Sequence, residues 1–196
     1  MITIHPFAYK YLCTTTSNLV TLPLDIAQTK ILSDREKIFS FEEFKWLLLF
    51  PIIFTSQSIV YDILKNVKNI FLRGAITGLV TSPVYIFFET KKLYSRTKCY
   101  PDYFIYCKWI IIRQIIFYSL LYKLFISNIM YPKMVSPLIS NTIGFPIKLI
   151  ALTRGYEIFN IDRKRFKLSA LTEICKSSIN DGLSLYLIYN SNFSPL

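Results

Sequence analysis

Histidine is almost missing from this chain, which has a single His5 among 196 residues. A His-based catalytic triad or an imidazole-rich metal site is therefore not expected. Cysteine is equally uninformative: Cys13, Cys99, Cys107 and Cys175 show neither ligand spacing nor a paired framework. With no nucleophile–base or metal constellation in view, an enzyme is not expected, and no metal or cofactor is either. Glycine is scarce at 5 residues, and charged residues reach only 18% where about 25% is usual in soluble domains. What fills the space is apolar, 53% hydrophobic with 16 Phe and 14 Tyr.

The apolar residues gather into six segments, at 8–32, 44–64, 70–92, 104–126, 134–154 and 170–190. Each approaches the ~20 residues that cross a bilayer as a helix. Lys108, Arg113, Lys148 and Lys176 interrupt these segments. Charges at such depth are expected to face an internal cavity, which marks them as functional candidates. A soluble helical bundle with buried apolar helices is the competing reading. The first fifteen residues lack a basic stretch followed by an apolar core, so an uncleaved first helix is expected to direct insertion.

The net charge of +11 raises the question of nucleic acid. The cations alternate with the apolar segments instead, which fits membrane loops and a lipid bilayer as partner, not nucleic acid. Connections after the first, third and fifth segments carry thirteen cations, from Lys30 to Lys167, against five on the other side. By the positive-inside rule both chain ends lie on the outer face.

The segments also repeat. Prolines recur at Pro23, Pro83 and Pro146, spaced by 60 and 63 residues. Aromatics recur at the ends of the even segments, Tyr61, Phe125 and Tyr189, at a spacing of 64. The spacing predicts three tandem helix pairs, 8–66, 67–130 and 131–193, in a single membrane domain over 1–196. A proline inside a helix removes a backbone donor, so each of the three is expected to kink its helix.

Pro23-Leu24-Asp25-Ile26-Ala27-Gln28-Thr29-Lys30 resembles the signature that closes the odd-numbered helices of the mitochondrial carrier family, and Tyr61-Asp62-Ile63-Leu64-Lys65 resembles its even-helix pattern. The likeness covers about 8–193, with each repeat roughly a third shorter than the family's. It implies an all-α membrane protein of six transmembrane helices, as three tandem helix-pair repeats with pseudo-threefold symmetry around a central cavity. It further implies the mitochondrial inner membrane, with both ends in the intermembrane space.

In the resembled family, acids and bases after the prolines close one side of the cavity, and those of the even helices close the other. This sequence supplies Asp25, Lys30 and Lys148 for the first ring and Asp62 with Lys65 for the second. Tyr85, Thr90 and Thr153 stand where the first ring's other charges belong, and Ile126 and Asn190 replace acids of the second. An Asp25–Lys148 bridge is expected to be the one link across repeats. Counting back along the even helices places the substrate site at Leu49 and Phe50, Arg113 and Gln114, and Ser177 and Ser178 beside Lys176. An arginine followed by an amide resembles carriers of carboxylates, because guanidinium holds carboxylate in a bidentate fork. Two function classes stay open: a transporter of a small anionic carboxylate metabolite by alternating access, with Arg113 and Lys176 as counter-charges, and a carrier-derived structural subunit of a larger membrane complex without transport activity.

Overall fold

The computed structural model describes residues 6–33, 45, 48–127, 131–156 and 163–190. Among them are six α-helices and no strand: α1 Pro6–Ser33, α2 Pro51–Ile63, α3 Ile70–Thr97, α4 Tyr103–Ile126, α5 Pro132–Gly155 and α6 Arg163–Asn190. The described residues of all six apolar segments are thus largely helical. The loop cations Arg35 and Lys37, residues 157–162 and both chain ends lie outside the described residues.

Local chemistry sets the helix starts. Asn69 and Asp102 cap α3 and α4 by accepting from the backbone N–H groups of Leu72 and Ile105, each at 3.2 Å. Pro51 and Pro132 open α2 and α5, where a missing donor costs nothing. Pro23, Pro83 and Pro146 lie inside unbroken helices and are exposed on their outer faces. Each therefore turns its ring away from the bundle interior.

Every helix packs on its neighbours in sequence, and α1 also packs on α6, so the six form a closed ring. Glycine fixes one of these seams. A Cβ on Gly74 would stand 2.8 Å from Ser119 Cα, and one on Gly78 would stand 2.7 Å from the Gln114 carbonyl carbon. Those distances are below any tolerable contact, so α3 approaches the backbone of α4 only because both positions lack a side chain.

The bundle is polar inside and apolar outside. Among the described residues, polar and charged side chains outnumber apolar ones in the buried set, while Leu19, Leu79, Phe87, Ile143 and Leu171 are exposed. That distribution is the reverse of the usual one in water, and it disfavours the soluble bundle. Many buried hydroxyls bond back to their own helix four residues earlier: Thr14 to Lys10, Ser17 to Cys13, Thr77 to Arg73, Thr81 to Thr77 and Thr97 to Leu93, at 2.7–3.1 Å. This satisfies a polar group from within its own helix; Thr14 also reaches Thr55 of α2 at 3.3 Å.

Three helices are long and apolar enough to cross a membrane: α3 over Ile70–Ser95, α4 over Tyr103–Ile126 and α5 over Pro132–Gly155. The 24 residues of α4 rise roughly 36 Å, against ~30 Å of hydrocarbon. Both α1 and α6 have 28 residues but carry more charge, including Lys10, Asp25, Glu173 and Lys176. The described part of α2 has 13 residues and rises only about 20 Å.

Candidate functional site

Inside the helix ring lies a cavity of about 120 Å³ to which all six helices contribute side chains. On α1 its lining runs from Thr14 to Asp25, roughly 16 Å along the axis at ~1.5 Å per residue.

One end of the cavity carries a closed ring of six alternating charges. Asp25 pairs with Lys92 at 3.3 Å and with Lys176 at 2.9 Å. Glu89 pairs with Lys92 at 3.3 Å and with Lys148 at 3.5 Å. Glu173 pairs with both Lys148 and Lys176. Each acid thus touches two lysines and each lysine two acids. Lys176 also donates to Gln28 Oε1 at 2.9 Å, and the Lys92 ammonium lies 3.9 Å from the centre of the Phe50 ring. An isolated charge at this depth carries a large desolvation cost, which two opposite partners offset. The arrangement is neutral overall and holds α1, α3, α5 and α6 together.

Helical spacing explains how the sequence builds it. Asp25 and Lys148 each sit two residues after a proline, as expected from the motif. In the middle repeat that position is Tyr85, and the charge falls one turn later at Glu89, on the same face. Glu173 stands one turn before Lys176 in the same way, with a 2.7 Å i,i+3 pair. Asp25 and Lys148 were expected to bridge directly. The structure joins them at one remove, through Lys176 with Glu173 and through Lys92 with Glu89. Lys30 lies in the last turn of α1, partly buried and outside the ring.

Toward the opposite ends of these helices, Asp62 pairs with Lys10 of α1, a partner that motif spacing did not point to. Lys65 is exposed on the 3-10 turn that follows α2. Aromatics fill the space nearby: Tyr61 stacks on Tyr122 with centroids 3.5 Å apart, and the Arg73 guanidinium lies 3.7 Å over Tyr61 while donating to its backbone oxygen at 2.7 Å.

Between the two ends, α4 presents Arg113 and Gln114. Arg113 is only 6% exposed, yet it makes no hydrogen bond or ion pair with a described residue. Its guanidinium rests 5.7 Å from the Tyr85 ring centre and 5.2 Å from that of Phe117. Gln114 is 1% exposed, and neither its amide oxygen nor its amide nitrogen has a partner among the described residues. Both residues line the cavity, as do Lys176, Ser177 and Phe50. Leu49 and Ser178 do not, although the Ser178 hydroxyl is buried without a partner. Ser177 donates to Glu173 at 3.3 Å. Lys108, expected to face inward, is exposed near the start of α4, where a long side chain can reach an interface.

Sequence spacing missed Asp181 of α6, which lines the cavity and accepts from Asn141 Nδ2 of α5 at 3.1 Å. It also missed Gln57 of α2, which accepts from the Tyr118 hydroxyl and whose amide nitrogen is buried without a partner. Among the described residues, no group of histidine, cysteine, aspartate and glutamate is placed to hold a metal ion. Comparison with known proteins finds no matching family model, curated protein or solved structure.

Proposed function

We propose that this chain is a membrane transporter of mitochondrial carrier type that binds a small carboxylate metabolite between its six helices. Arg113 carries the reading. A guanidinium buried without an anionic partner is costly, and placing it against a cavity gives it one role, to meet an anion that enters. Carboxylate would take the bidentate fork, and Gln114 would add an amide donor and an acceptor beside it. Lys176 is not a second counter-charge in this reading, because two acids already hold it.

The charge ring supplies the gate. Six alternating charges close the cavity at one end, and partial hydration keeps such contacts reversible. The Lys10–Asp62 pair and the Tyr61–Tyr122 stack would close the other end in turn. The inward placement of charge on α1 and α6 supports all six helices as spans, arranged as three pairs. The cations expected on the loops at the ring's end support an orientation with that end toward the matrix and both chain ends toward the intermembrane space of the mitochondrial inner membrane. No covalent chemistry is involved.

The experiment is uptake of labelled small carboxylates into liposomes containing the purified protein. The expected result is saturable exchange that Arg113→Ala abolishes while thermal unfolding of the variant stays cooperative. Exchange unchanged by Arg113→Ala sinks the reading. So does an absence of exchange in a protein that migrates only within a large complex, which would favour the structural subunit.

A further inference from the structure

Charge in the cavity balances in a way that narrows the ligand. The described lining residues include four bases and four acids. Six of these eight belong to the closed ring and satisfy one another. Two remain, Arg113 on α4 and Asp181 on α6. Arg113 has no polar partner among the described residues, and Asp181 has the single bond from Asn141. Both line the same cavity and form no ion pair with each other, so their charged atoms are farther apart than direct contact allows.

A simple anion binding at Arg113 would neutralise the cation and leave Asp181 as an uncompensated negative charge in the same cavity. Burying such a charge is strongly unfavourable. A ligand that carries both signs leaves neither residue unmatched. Neutral polar groups line the same cavity: Gln57, Gln114 and Asn180, of which the amide nitrogens of Gln57 and Gln114, the Gln114 oxygen and Asn180 Oδ1 have no partner among the described residues. They offer donors and acceptors to a polar body. At about 120 Å³ the cavity is well below the ~300–1,000 Å³ of clefts that take drug-sized ligands.

We propose that the substrate is a small zwitterion, an α-amino acid, held with its carboxylate on Arg113 and its ammonium on Asp181. This rests on the carboxylate site described above and gives it a second pole. Asp181 then acts as a specificity residue that rejects carboxylates lacking an amino group, since an unmatched buried polar group discriminates more strongly than a missing apolar contact.

The test is the thermal midpoint of the purified protein in detergent, measured with each of the twenty standard L-amino acids, with propionate and lactate, and with ethylamine. At least one amino acid is expected to raise the midpoint by several degrees, and neither carboxylate nor amine alone should do so. Asp181→Asn should weaken that amino acid at least tenfold and admit propionate or lactate. Arg113→Gln should lose every response. If propionate or lactate stabilises the unaltered protein as well as any amino acid does, through Arg113, the zwitterion is excluded while the carboxylate reading stands. If no carboxylate compound acts through Arg113, both readings fail. The panel on the unaltered protein decides between these even if Asp181→Asn does not fold.

Discussion

Asp25 and Lys176 meet at 2.9 Å across the seam between the first and last helices, 151 positions apart in sequence. This contact lies in both the ring of helices and the ring of charges. Asp25 also holds Lys92, so its carboxylate ties α1 to α3 and α6 at once.

Asp25→Asn is expected to lower stability by about 3 kcal/mol, because it strips one acid from each of two buried lysines. Thermal unfolding in detergent reads the loss. In a double-mutant cycle with Lys176→Gln, the coupling should exceed ~0.5 kcal/mol. Simple additivity would mean that the pair contributes nothing as a pair.

Gly78→Ala and Gly74→Ala should each cost about 1–3 kcal/mol, the usual range for overpacking, by forcing α3 off the backbone of α4. Because Gly78 faces the Gln114 carbonyl, Gly78→Ala should also blunt any ligand response. Gly144→Ala is the control. Its nearest new neighbour is the Arg113 side chain at 3.7 Å, an ordinary contact. Equal losses at Gly144 and Gly78 would refute the close-approach account.

Arg113→Met combined with Asp181→Asn should leave the ligand-free protein as stable as before, or more stable, since it removes together two charges that have no ion pair among the described residues. The same variant should lose all response to carboxylate ligands. A large drop in the ligand-free midpoint would assign Arg113 to the architecture instead of the site.

Thiol labelling can decide whether α6 lies in lipid. Cys99 stands in the α3–α4 connection, and Cys175 is exposed on α6. In membranes a water-soluble maleimide should modify Cys99 well before Cys175, because a thiol facing hydrocarbon cannot ionise to the reactive thiolate. Labelling of both should become comparable in denaturing detergent. Rapid modification of Cys175 in the intact membrane would remove α6 from the spans.

All six helices were legible in the sequence because apolar runs near the length of a bilayer leave little else to form. The cavity-lining positions of Arg113 and Gln114 were legible as well, since spacing along a helix fixes depth. Half of the charge ring was not. Asp25, Lys148 and Lys176 stood out by motif or by interrupting an apolar run. Glu89, Lys92 and Glu173 lie off the motif and join the ring through the 3.6-residue period, which a fixed pattern of positions does not follow. Asp181 was missed for a related reason: it lies one turn beyond Ser177, and its importance depends on Asn141 of another helix. Four-residue spacing of Gly74 and Gly78 does not name the α4 backbone that they meet.

The inward hydroxyls carry a further consequence. Since Ser17, Thr77, Thr81 and Thr97 bond within their own helices, rolling one rod against the next would break none of these bonds. At those positions the wall of the bundle is slippery, and its fastening falls to discrete rivets such as the charge ring and the Lys10–Asp62 pair.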